Sequence, residues 1–529
     1  MTGAQPPATS YERRRWWLLF ALVGLAAAAW SLGTPLMTGH DEDGQAARSA
    51  AAVRGELLGT PVPGWRNTLV TVHAPEAYQD AAAAGVCFLG QPFEAIDGLV
   101  PRPPGRGDCP SLDGGPHQVE VVTNQHRNPP LYPLAIGLPT LLSPDQPGAY
   151  LMRLAGVAIC AALLASGLVT VSRFRSPRLA ALAALVAVTP EVVYVAGTSN
   201  SIGLELAASF ALWMSALALA LGPAEPDGRL VRRAGVALVA LAVARPLSPV
   251  FAVAAIVVAA LLASPERRRA LRARRDVWLW LGAGAVAAGT TVAWLIELRR
   301  RMPTGAFPGA GLSDAVGLVP WWLRGMVGVF GSTDVIPPVA LHLAWGAVAV
   351  VVVAWSLARA TARAAVAVGV LAGGGIVLLV SGQGLSIPDT GVWWQGRYVL
   401  PLLMGAVLTA AAAARPGTER PAEAPSRSGP LLLGGLVALQ AWAFLYAVRH
   451  YAVGFGGTAN PLRYLFHPDW TPPYGPDLLY AALFTAALAG TAALVWHSAV
   501  VAHAAQPDPA APAAGGTSPP VAVATGAGD

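Results

Sequence analysis

The amino-acid sequence predicts an all-α polytopic membrane protein of about twelve transmembrane helices, and three observations predict it. Hydrophobic residues fill 54% of the 529 positions, charged residues only 12%, and the mean hydropathy is +0.52, which leaves too little polar surface for a water-soluble fold of this length. Apolar runs of roughly 20 residues, enough to cross a hydrocarbon core, recur from Trp16 to the neighbourhood of Val501. Ala, Leu and Val dominate those runs, and in lipid a helix satisfies its own backbone.

The arginines orient the runs, because cytoplasmic loops keep an excess of basic residues. Arg13, Arg14 and Arg15 place residues 1–15 inside, so the first helix, 16–37, delivers segment 38–148 to the outside. The charged start followed by an apolar run with Ala27 to Ala29 also has the form of a signal peptide. The apolar stretch continues to Met37 and further spans follow, so an uncleaved first helix is expected. The second helix, 149–171, returns to Arg173, Arg175 and Arg178, and the third and fourth, 179–197 and 201–222, turn outside at TSNS, 198–201. Two short spans lie between Arg232–Arg233 and the basic cluster from Arg267 to Arg275, broken externally at RPLSP, 245–249. A seventh span, 277–296, leads outward, where Arg299, Arg300 and Arg301 strain the rule against the larger inner cluster. Spans at 339–358, 364–382, 398–414, 430–447 and 477–500 complete the set, flanking cytoplasmic segments at Arg359–Arg363 and 415–428. The domain plan is a cytoplasmic N-terminus at 1–15, a membrane domain over 16–500 and a cytoplasmic tail over 501–529, disordered by its Pro, Ala and Gly content.

The net charge of +6 and pI near 9.5 do not indicate a nucleic-acid partner, since the arginines cluster between apolar runs and form no basic stripe interleaved with aromatics. No lysine occurs at all, and with so much Ala this reads as the bias of a GC-rich genome. There is no Walker A loop, dinucleotide fingerprint or lipidation signal. Three cysteines make neither a disulfide framework nor a four-cysteine metal site. Cys160 lies in an apolar run, while Cys87 and Cys109 share the long polar loop and are expected to pair if it faces an oxidising compartment. The alternative is two free thiols.

Residues that can carry chemistry gather outside. HDEDG at 40–44 puts Asp41, Glu42 and Asp43 just beyond the first helix. Carboxylates there can serve as general base or metal ligand, and crowding raises the pKa of at least one; the plainer reading is acidic residues in a first helical turn. The Ala-rich segment 45–59 is expected to form a short interfacial helix with Arg48 and Arg54 near phosphates. HRNPPLYPLAIGLPTLL, 126–142, is too short to span comfortably and reads as a second interfacial helix. Arg153 is either a snorkelling anchor or a ligand contact. Arg245, with Gln395, Arg397 and Tyr398 of WWQGRY, 393–398, adds positive and hydrogen-bonding groups on the same face, and FGSTD, 330–334, adds Asp334.

Together Asp41–Glu42, Arg48, Gly55, NPPLY at 128–132, Arg153–Leu154 and WQGRYVLP at 394–401 resemble, in their order along the chain, a bacterial family of predicted membrane proteins grouped with the GT-C glycosyltransferases. Gln45 and Asn128 stand where that family commonly has histidines, and Phe330, Gly331 and Ser332 replace its FGW-like motif. The resemblance implies a GT-C-like fold in a bacterial plasma membrane and an inverting transfer from a polyprenyl-phosphate-linked sugar on the outer face. It makes Asp41 the key acid or base, with Glu42 second, and assigns Arg245 and Arg397 to the leaving phosphate. Arg48, Asn128, Arg153, Gln395 and Tyr398 complete the implied substrate site. A divalent metal (Mg or Mn) could assist, and the acceptor would be a cell-envelope glycan, lipid or protein. Two other functions suit the same architecture: a transporter or flippase of lipid-linked saccharides, and a non-catalytic GT-C-like partner. A repeat-built transporter would show matching halves and charges near the midplane, whereas here the charges collect at the outer end.

Overall fold

The computed structural model describes residues 8–62, 69–88, 109, 111–301, 311–390, 393–415, 428–454 and 457–505. Most of the expected tail, 506–529, and most of the 415–428 connection lie outside the described residues.

The chain opens with α1 (Ala8–Gly33), then builds a small mixed unit from α2 (Glu42–Ala52), β1 (Thr60–Pro61), β2 (Val70–Pro75), α3 (Ala81–Cys87), β3 (Gln118–Thr123) and α4 (Leu131–Gly137). The strands form an antiparallel sheet in the order β1-β2-β3, with Val70 opposite Thr123 and His73 opposite Glu120. Val70, Val72 and Ala74 alternate onto one buried face, and the first two pack on Ala51 of α2. This alters the expectation for 45–59: α2 is not a surface-lying interfacial helix but is buried along almost its whole length, because alanines on every side let sheet and bundle close over it. Helix α4 and the segment after it do keep exposed leucines, Leu131, Leu138, Leu141 and Leu142, as an interfacial element should.

The bundle follows with α5 (Gln146–Leu168), α6 (Pro177–Ala187), α7 (Pro190–Ala196), α8 (Ser201–Leu221), α9 (Gly228–Ala242), α10 (Ser248–Leu262), α11 (Pro265–Arg272) and α12 (Arg275–Arg301). It continues through α13 (Leu312–Gly317), α14 (Val319–Val327), α15 (Val339–Leu357), α16 (Ala362–Thr390), α17 (Leu400–Ala413), α18 (Ser428–Val453), α19 (Pro461–Phe466) and α20 (Asp477–Ala504). The central helix is α8, predominantly apolar and buried from Ser201 to Ala220 against α5, α9, α10 and α17. Between α6 and α7 the axis bends by 62°, where Pro190 withholds the N–H that would continue the helix.

Among the described residues eight helices are long and apolar enough to cross a membrane, nine if α6 and α7 count as one bent span. The chain is a multi-pass helical membrane protein, but length and composition support fewer spans than the expected twelve. The shortfall is local. Helices α9, α10 and α17 have 15, 15 and 14 residues, about 22 Å of helix against a core of about 30 Å. Each stops where the backbone unwinds, at Arg245–Leu247 and at Gln395–Val399, and irregular backbone at membrane depth is tolerated where it lines a cavity.

The two ends of the bundle differ in chemistry. At one end Glu12 pairs with Arg173 and Arg233, Asp227 with Arg173, and the Arg415 amide with the Arg359 carbonyl, which gathers basic clusters from distant parts of the chain. The other end carries the 38–148 unit. There Cys87 and Cys109 are joined as a disulfide, Cα atoms 5.7 Å apart across 22 residues, and Phe88 is wedged against Trp470 and Tyr451. Replacing both cysteines by serine should lower the stability of this unit by about 3 kcal/mol in the chain-entropy account. Limited proteolysis of residues 69–123 with and without reductant provides the check, and equal cleavage rates would count against it.

Candidate functional site

The first loop delivers the carboxylates. Gly39 leads into His40, whose carbonyl accepts from Asn200 Nδ2, and Asp41 then turns into the left-handed region at φ 51°, ψ 23° as the N-cap of α2. Aspartate is one of the few non-glycine residues that enter this sparsely populated region, and residues held there concentrate at functional sites. Asn124 Nδ2 donates to Asp41 Oδ1 at 3.4 Å. Helix α2 reaches this neighbour because residue 44 is glycine: a Cβ there would lie 2.9 Å from Thr123 Oγ1 and 3.1 Å from Asn124 Oδ1.

Asp41 opens onto a cavity of about 280 Å³, which it shares with Asn128, Arg127, Arg245, Trp394 and Tyr398 among others. Of the described lining residues only Asp41 is acidic. Arg245 donates from Nη1 to Glu205 Oε2 at 3.0 Å, and its guanidinium lies 4.4 Å from the centre of the Tyr398 ring. Glu205 is fully buried in α8 and also accepts from Ser248 Oγ at 2.6 Å. On the far wall Gln383 of α16 accepts from the amides of Trp393 and Trp394, which fixes the indoles ahead of Tyr398. Gly396 permits that path, since a Cβ there would collide with the Trp322 carbonyl.

Four of the expected residues, Asp41, Asn128, Arg245 and Tyr398, therefore meet in one cavity, and the others do not line it. Glu42 is buried and receives Arg153 Nε and Nη2 at 2.6 and 2.5 Å, the Ser199 amide at 3.0 Å and the Gly39 amide at 3.1 Å. Arg153 is thus neither a snorkelling anchor nor a cavity residue. It is fully buried and also ties down the carbonyls of Ser31, Thr34 and Pro35. Arg48 is buried, donates to the Gln125 carbonyl and stands over Trp294; burial pulls its pKa down to about 9. Arg54 holds Thr140. Arg397 turns from the cavity toward Glu191, 3.9 Å away. Gln395 contributes its carbonyl to the turn that carries Tyr398. Asp334 lies 3.3 Å from His450. Asp43 has its carboxyl pushed up to about 6, chiefly by burial, with Asp41 and Glu42 adding to it.

Gln45 and Asn128, which stand where the resemblance implies histidines, converge on one atom: both donate to Gln125 Oε1, at 2.7 and 3.0 Å. They form an amide wall of the cavity in place of imidazoles. Among the described residues no three His, Cys, Asp or Glu side chains come together as a metal-holding group.

Two buried carboxylates escaped the sequence reading, Glu191 of α7 and Glu205 of α8. A lone acid inside an apolar run was the signal, because a charge at membrane depth needs a partner.

No curated protein matches the chain. Among solved structures, the crystal structure of ArnT from Cupriavidus metallidurans bound to undecaprenyl phosphate is similar at 16% identity and TM-score 0.42, covering 93% of this chain and 78% of that one. Residues 147–406 match the model of a family described as predicted membrane protein, DUF2142, and over that stretch the chain is similar to that family.

Proposed function

We propose that the chain is a membrane glycosyltransferase that moves a sugar from a polyprenyl phosphate to an acceptor hydroxyl. The observation that carries this reading is the cavity itself: among its described residues a single acid, Asp41, with Arg127 and Arg245, and with Trp394 and Tyr398 as flat faces suited to a sugar ring. The acceptor oxygen attacks the anomeric carbon and its proton passes to the Asp41 carboxylate. The bond from that carbon to the phosphate oxygen breaks, and the electron pair leaves with the polyprenyl phosphate. Charge grows on the phosphate as this happens, and a guanidinium fixed beforehand favours that state over the bound donor. Arg245, held by Glu205, is placed for the task. Arg397, turned toward Glu191, is not.

The reaction belongs on the outer face of a bacterial plasma membrane, with the arginine-rich end and both termini in the cytoplasm. A cysteine introduced in segment 265–275 should stay protected from an impermeant thiol reagent on intact cells and react after lysis. Rapid labelling of intact cells would reverse the orientation. The function is tested by reconstituting the chain in vesicles with a radiolabelled undecaprenyl-phosphate sugar. Release of undecaprenyl phosphate with transfer of the label supports the transferase; movement of the intact lipid across the bilayer would make the chain a transporter, and neither event would leave a non-catalytic partner.

A further inference from the structure

Behind the cavity wall lies a buried group that the proposed chemistry does not use. Glu191 and His40 are buried, with His40 Nε2 and Glu191 Oε1 3.0 Å apart. Arg397 Nη1 approaches the same oxygen at 3.9 Å, and the Val329 amide donates to Glu191 Oε2 at 3.2 Å. One residue along the chain from His40 is Asp41, and one along from Arg397 is Tyr398. Both line the cavity.

We infer that Glu191 is a positioning residue that sets the two walls of the cavity against each other, holding Asp41 through His40 and Tyr398 through Arg397. The charges suit this arrangement. Burial, then the neighbouring Arg397, keep the His40 pKa below its ordinary value, so a neutral imidazole and a guanidinium share one carboxylate. The Asp41 backbone occupies the sparsely populated left-handed region, and its surroundings hold it there. The Asn200 bond to the His40 carbonyl and the Glu191 contact to the His40 ring grip the preceding residue from both sides. Across the cavity, the ring of Tyr398 lies under Arg245, so a shift of the Arg397 turn also moves the group beneath the phosphate-binding arginine.

The kinetic consequence rests on the transferase reading; the structural one does not. In the full chain in lipid nanodiscs, amide hydrogen exchange of residues 37–45 and 394–399 should be slow in the wild type and speed up together in Glu191→Gln. With an undecaprenyl-phosphate sugar, Glu191→Gln should lower kcat by about 10- to 100-fold, the range expected for a small displacement of reacting groups, with KM for the donor little changed. Glu191→Asp, which keeps the charge, should recover part of the loss. The variant combining Glu191→Gln with Asp41→Asn should be no slower than Asp41→Asn alone, since the two act on one step. Multiplying losses, or exchange that rises in one segment only, would overturn the inference. If the wild type does not turn over, the transferase reading fails and the exchange result decides the role of Glu191 by itself. Should Glu191→Gln not fold, the wild-type exchange still decides: the two segments opening at different free energies would break the proposed link.

Discussion

Asp41→Asn should fold as the wild type does, bind undecaprenyl phosphate with similar affinity and lose turnover by about 100-fold or more, the scale of acid-base assistance. The substitution suits this position for a physical reason. Asn is among the few non-glycine residues that enter the left-handed region readily, so the backbone at φ 51° is undisturbed. An Asn side chain also keeps an oxygen for the Asn124 amide that now donates to Asp41 Oδ1. What it lacks is a lone pair basic enough to take a proton from an alcohol. Asp41→Ala is the less clean variant, because it adds the left-handed penalty to the chemical loss. Turnover and binding are both measurable on one sample, since Trp393 and Trp394 line the cavity and their fluorescence should report a bound lipid phosphate. Unchanged turnover in Asp41→Asn would remove this carboxylate from the mechanism.

The part of the fold legible in the sequence is the part that lipid dictates. Long apolar runs and arginine clusters located α1, α5, α8, α12, α15, α16, α18 and α20, because a spanning helix of uniform composition leaves a signal as long as itself. Helices α9, α10 and α17 read as further spans because hydropathy registers composition and not the point at which a chain unwinds; Arg245 and Arg397 are too few to lower the average of their neighbours. The candidate site was legible in the same uneven way. Asp41, Asn128, Arg245 and Tyr398 stand out as polar residues beside helix ends, and they line the cavity. Partnership was not legible. Whether Glu42 faces a ligand or an arginine depends on a contact 111 residues away in sequence, and Gln45 and Asn128 reveal their common role only when Gln125 Oε1 is seen between them.

That same contact yields the largest effect on stability. Glu42 and Arg153 form a buried pair in which each carboxylate oxygen and each guanidinium nitrogen has a partner. Removing one member strands the other charge away from water, and loss of a single partner from a buried pair costs about 3–5 kcal/mol. Glu42→Gln and Arg153→Met should each destabilise by that order, while the double variant should regain a substantial part, since no uncompensated charge remains. Thermal unfolding in detergent, followed through the four proteins, measures the coupling directly. Single variants as stable as the wild type would show that the pair contributes nothing. The sign of the pH dependence follows from the carboxyl. Burial alone would raise its pKa, but Arg153 and the amides of Ser199 and Gly39 outweigh burial and hold it below the ordinary glutamate value of 4.5. The folded state therefore binds this proton less readily than the unfolded chain, so the contribution is complete above about 4.5 and lost as pH falls through the lower folded value. Glu42→Gln should remove that part of the acid limb. It should also separate Asp41 from Glu42: activity per folded molecule survives in Glu42→Gln, where the defect is in stability, and falls in Asp41→Asn, where the fold is intact.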